Sequence, residues 1–211
     1  METESRQFLL NGDTIVLNKI NMSTGQTLSN EGDEFTVLSR IGEGGSSVCY
    51  EARCESDGAH GRLKEFYPID LPEEKAYFSV ERGQNNQLTA ALETAGTLKA
   101  FEPARSDFKA AYCALAGAKN REFGAVLNNY IPPFELYEGL GQSGSGLKSI
   151  YVWTRHDKQV MPFDRYIEIL RDDLKLNKNP EKHLFNVLNA LLTLSKCIRA
   201  LHTADLVHLD I

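Results

Sequence analysis

The chain has 211 residues, with 23 Lys+Arg against 29 Asp+Glu, 5 His, and 42% hydrophobic residues. This is the make-up of an ordinary globular chain, long enough for one large or two small lobes. The net charge of −6 excludes a binder of nucleic-acid backbones, which needs a basic excess. The most apolar stretch, Leu184 to Leu201, is interrupted by Asn186, Asn189, Thr193, Lys196 and Arg199, so no uninterrupted membrane span is expected. The acidic start, Met-Glu-Thr-Glu-Ser, lacks the pattern of a signal peptide. Cys49, Cys54, Cys113 and Cys197 have neither zinc-site nor disulfide-framework spacing, which points to no metal site, a reducing compartment and a cytoplasmic location.

In chain order, Phe8-Leu9-Leu10, the turn Asn11-Gly12-Asp13 and Thr14-Ile15-Val16-Leu17 predict a small hairpin over 7–20. The polar stretch Ser23 to Asp33 reads as a loop, so residues 1–34 are expected to be an N-terminal extension. Phe35–Leu38, Val48–Ala52 and a strand near Arg62–Phe66, joined by turns, predict an antiparallel meander. Leu88, Leu92, Ala95 and Leu98 recur at helical spacing until Pro103, which is expected to break the run. A second helix is expected from about Ser106 to Lys119, with Phe108, Ala111, Tyr112 and Leu115 on one face. Residues 130–138 and 149–154 read as strands, Phe163 to Leu170 as a short helix and Glu181 to His202 as a long one. Strands first and helices afterward make an α+β order, with a β-rich unit over 35–155 and an α-rich unit over 156–211.

Three features carry chemistry. Gly42-Glu43-Gly44-Gly45-Ser46-Ser47 lies between two predicted strands, and glycines let a backbone bring its N–H groups against phosphates. No helix follows it, which counts against a Rossmann site, and no Gly-Lys-Ser/Thr follows, which excludes a P-loop. Lys64 falls one hairpin downstream, where a meander brings its ammonium under the glycines. At the far end, Leu201-His202 closes a helix and an extended segment carries His208 and Asp210, an aspartate able to accept or orient a hydroxyl proton.

Together these residues resemble the protein kinase superfamily, and "GEGGSS" and "LKEFYP" are most similar to bacterial Ser/Thr-type kinases. The resemblance covers Phe35 to Ile211. It implies a β-rich N-lobe, then the first helices of a C-lobe. ATP would lie against Gly42, Gly44, Gly45, Ser46, Ser47 and Cys49, with Lys64 on its phosphates and Thr154, Arg155 and His156 at the hinge beside adenine. Asp210 would orient the hydroxyl of a protein substrate.

The sequence also departs from the family. Ser47 replaces a glycine, Cys49 a valine, and Arg62 a small residue over adenine. Ala111 stands where the resemblance expects the glutamate that pairs with Lys64, leaving Glu93 and Glu102 as nearby carboxylates. The chain ends at Ile211, ahead of the asparagine and Asp-Phe-Gly that would hold Mg²⁺. Mg²⁺ is therefore expected only in an intact parent, and little turnover from this chain alone. The alternatives are a pseudokinase scaffold and a small-molecule phosphotransferase. The apolar circumference of helix 184–201 adds an expectation of a protein partner or self-association.

Overall fold

The computed structural model describes residues 8–67, 80–82, 86, 88–90, 95–120, 127–128, 131–139, 147–156, 163–175 and 179–203. The chain divides into two compact units, Met1–Gly117 with Pro133–His156, and Ala118–Pro132 with Asp157–Ile211.

The first unit is built on a closed antiparallel barrel. Its strands are β1 (Thr14–Asn21), β2 (Gln26–Gly44), β3 (Ser47–Cys54), β4 (His60–Phe66), β7 (Glu135–Gly139) and β8 (Ile150–Arg155). Around the barrel they run β1, β2, β3, β4, β8, β7, and β7 returns to β1 through Leu17 opposite Gly139 and Lys19 opposite Tyr137. A short ribbon, β5 (Val80–Arg82) with β6 (Leu88–Ala90), and the helix α1 (Ala95–Lys119) lie between β4 and β7 in the chain. Alternation sends Ile15 and Leu17 of β1, Ala52 and Cys54 of β3, and Leu63 of β4 inward, where they meet Phe35, Tyr137, Tyr151 and Trp153. Phe35 is the hub, with its ring centroid 5.0 Å from Trp153 and 5.2 Å from Tyr137, the latter edge-on.

Several sequence expectations change here. The predicted hairpin over 7–20 is not formed: Phe8–Leu10 is not a strand, and β1 pairs with β2 instead. The stretch 23–33, read as a loop, is mostly the first half of β2. The turn ahead of it is made by Asn21, whose side chain accepts the N–H groups of Ser23 and Thr24 at 2.9 and 3.2 Å, with Gly25 at φ 70°. Much of that half-strand is exposed and polar, so it carries no alternation to read. Leu88 and its neighbours form β6, not a helix, and α1 runs unbroken through Pro103.

In the second unit, α2 (Phe163–Lys175) and α3 (Pro180–Thr203) are both longer than the pattern predicts at their ends. Leu170 and Ala190 are buried, while Leu184, Phe185, Leu188, Leu191 and Leu192 stand exposed along α3. An 18-residue window of α3, with a mean hydropathy of 1.3, is long and apolar enough to cross a membrane by length and composition.

Candidate functional site

On β4, Gly61, Leu63 and Glu65 point into the barrel, so Arg62, Lys64 and Phe66 point out of it. The outer face is ordered in rows. Ser47 pairs with Phe66; Cys49 pairs with Lys64, which pairs with Val152 on the other side; Glu51 pairs with Arg62, which pairs with Thr154. Rows are about 7 Å apart along a strand. The row of Lys64 therefore lies between the root of the glycine hairpin and the row of Arg62 and Thr154.

The hairpin is tighter than a loop over 42–47. Strand pairing continues to Gly44 opposite Ser47, leaving Gly45 and Ser46 as a two-residue turn. Ser46 is tied down, its carbonyl accepting the Tyr67 N–H at 3.0 Å. Ile41–Ser46 are exposed. A Cβ built on Gly42, Gly44 or Gly45 meets nothing within 4 Å, and none of the three has a positive φ.

Lys64 faces α1. Its ammonium donates to the Tyr112 hydroxyl at 3.3 Å and stands 5.8 and 5.9 Å from the ring centroids of Phe108 and Tyr112. Phe66, in the next row, packs on Phe101 and Phe108 at 5.2 and 5.3 Å. The residue of α1 that meets Lys64 is thus Tyr112, and Ala111 is exposed. Glu102 does not serve Lys64, because its carboxylate takes Arg105 at 2.8 Å; Glu93 lies outside the described residues.

Cys49 is a half-buried free thiol; burial pushes its pKa up, while Arg62 and Lys64 pull it back. Thr154 is half-buried. Arg155 and His156 are exposed: Arg155 pairs with Asp57 at 2.5 Å, and the His156 N–H donates to the His60 carbonyl at 2.8 Å. Gly42 to Cys49, Lys64 and Thr154 thus share one side of the barrel, whereas His208 and Asp210 lie outside the described residues. Among the described residues no cluster of three His, Cys, Asp or Glu side chains is arranged to hold a metal ion.

Inside the barrel, behind Lys64, is a polar group that the sequence reading missed. Glu65 is fully buried and ion-paired with Arg82, whose side chain is 1% exposed. Tyr151 donates to Glu65 at 2.6 Å and Tyr50 at 3.2 Å, and Arg82 also donates to the Asn86 carbonyl at 2.9 Å. Burial works against the Arg82 charge, but Glu65 with Tyr151 and Tyr50 holds its pKa above the ordinary value. The signal for Glu65 was legible, since it shares the inward parity of Leu63. Arg82 sits on a three-residue strand too short to show any parity.

No model of a known protein family matches the sequence, and no curated protein matches it. A solved structure titled "PpkA-294 apo form" is similar at 15% identity with a TM-score of 0.34, over 74% of this chain and 39% of that one. This likeness is distant, and the chain spans about two fifths of the length of that neighbour.

Proposed function

We propose that the barrel is a kinase-like nucleotide-binding lobe. ATP's phosphates lie under the Gly42–Ser47 hairpin, the Lys64 ammonium holds them, and the base extends along the outer face toward Thr154–His156. In the whole protein the γ-phosphate passes to a protein hydroxyl that Asp210 orients. Mg²⁺, when bound with the nucleotide, supplies neutralisation of the phosphate charge.

The observation that carries the reading is the set of glycines. Gly42, Gly44 and Gly45 answer no need of backbone conformation or of packing within the fold. A phosphate brought close to the backbone gives them one. Lys64, in the row of Gly42 through their shared partner Cys49, supplies the countercharge, and the order along the chain is that implied by the resemblance: glycine hairpin, lysine strand, facing helix, hinge strand.

The contact of Lys64 favours a second reading. Tyr112 and Phe108, not a carboxylate, face its ammonium on α1. An aromatic cradle holds a cation without neutralising it, which suits a module that binds nucleotide as a pseudokinase scaffold without turnover.

Calorimetry of ATP with and without Mg²⁺, on this chain and on Lys64→Ala, tests the site. Losing one charge-assisted contact to phosphate is expected to weaken binding by roughly tenfold or more. Equal affinity in the two proteins, or no binding at millimolar ATP, would overturn it. In the whole protein, ATP binding with no phosphate transferred to added protein substrates would favour the scaffold.

A further inference from the structure

The glycine hairpin is exposed from Ile41 to Ser46, so a few contacts fix its position. At one root the Arg40 guanidinium lies over the ring of Phe8, 4.5 Å from the centroid. At the turn itself, Tyr67, just past β4, holds the Ser46 carbonyl through its N–H and packs its own ring on the same Phe8 at 5.4 Å and 43°. A single side chain from the segment ahead of β1 thus touches β2 just before the hairpin and, in Tyr67 past the end of β4, the residue that holds the hairpin's turn.

That segment is itself firmly seated. Leu9 is 1% exposed and its N–H donates to the Tyr50 hydroxyl at 3.4 Å, a member of the buried Glu65–Arg82 group. The Leu10 N–H donates to the Asp13 carboxylate at 2.8 Å. The Gly12 N–H donates to the Val37 carbonyl, and the Val37 N–H returns a bond to the Asp13 carbonyl, both at 2.8 Å. Val37 is on β2, the strand that runs on through Arg40 into the hairpin. The segment is therefore pinned to the barrel at one end and to the hairpin roots at the other.

We infer that residues Phe8–Asp13 form a positioning arm for the glycine hairpin, with Phe8 as the positioning residue. The inference rests on the nucleotide reading of the site. A free hairpin of small residues must be ordered when phosphates bind, and that ordering weakens affinity. Phe8 orders the hairpin beforehand by fixing Arg40 and Tyr67. The arm acts on the phosphate end alone, because its contacts stop at the roots of the hairpin and do not extend to the row of Arg62 and Thr154.

The test compares the full chain with Phe8→Ala, Phe8→Tyr and Arg40→Gln, the last removing, at an exposed residue, both the contact with Phe8 and the ion pair with Glu43 of the hairpin. Hydrogen exchange at the Tyr67 amide reads the hairpin directly, with no nucleotide present. Calorimetry with ATP and with adenosine reads the site. Expected are faster exchange at Tyr67 in Phe8→Ala and ATP binding weaker by about fivefold, the size of one aromatic and one cation–π contact, with adenosine binding unchanged. Phe8→Tyr should restore both, and Arg40→Gln should reproduce the ATP effect in part. Unchanged exchange at Tyr67 would overturn the arm however ATP behaves. An equal loss for ATP and adenosine would overturn it too, by showing general loosening of the barrel. Faster exchange in a chain whose unaltered form binds no ATP would overturn the nucleotide reading, and with it the arm's role in binding.

Discussion

Lys64 and Glu65 are neighbours in sequence and face opposite ways, one toward α1 and one into the barrel. The outward residue stands beside aromatic rings at a partly exposed surface, whereas the inward one has a single cation as its counterion. Removing that cation leaves Glu65 buried without a counterion. Arg82→Met is therefore expected to cost about 3–5 kcal/mol of stability, measured by urea unfolding. The double variant Glu65→Leu with Arg82→Met removes both charges and should recover most of that loss. If Arg82→Met unfolds at the urea concentration of the unaltered chain, the ion pair contributes nothing and the burial of Glu65 must be balanced in another way.

At the scale of elements, the pairing of β4 with β8 depends on Gly61. A Cβ at that position would lie 2.4 Å from the Thr154 carbonyl oxygen and 2.6 Å from the Trp153 ring. Neither neighbour yields easily, the first being backbone and the second the largest side chain in the core. Gly61→Ala should therefore cost about 3 kcal/mol, at the upper end for overpacking, and chemical denaturation will show it. The β2–β3–β4 meander and the two last helices were legible in the sequence from a period of two or of about three and a half, and β7 and β8 from apolar, aromatic runs on either side of a Gly/Ser-rich turn. The exceptions have separate causes. Pro103 breaks a helix by propensity, yet α1 runs through it, held on its far side by Phe101, Phe108 and Tyr112 against β4 and Phe134. The first half of β2 is polar strand, and the barrel seam is a pairing between distant segments that no local pattern announces. Of the site, the glycines and Lys64 could be read from spacing. The partner of Lys64 could not: a carboxylate was sought at Ala111, and the facing residue is Tyr112, one position later on the apolar side.

For the whole molecule, the barrel stores a dependence on alkaline pH. Burial pushes the hydroxyls of Tyr50, Tyr137 and Tyr151 above the ordinary tyrosine range, helped by Glu65 for Tyr50 and Tyr151 and by Asp33 for Tyr137. Burial likewise raises Tyr67, to about 12. A folded pKa above the unfolded one gives stability that is complete below about pH 10 and is lost as pH rises through the folded value. Unfolding is therefore expected above about pH 10, with these tyrosines ionising together as the barrel opens. Tyrosinate absorbance recorded beside circular dichroism checks this. Absorbance that rises well before the fold is lost would mean the hydroxyls are open to solvent.

The seam between β1 and β7 bears on how the chain comes to be folded at all. Leu17 is made early and Gly139 late, with the meander, the ribbon and all of α1 between them. During synthesis the hairpin of β1 and β2 has one edge of backbone N–H and C=O groups without its strand partner until β7 emerges. Contacts so far apart in sequence close slowly, because the loop entropy is spent before any packing rewards it. Closing this seam therefore waits on a strand that is made only after the meander, the ribbon and α1.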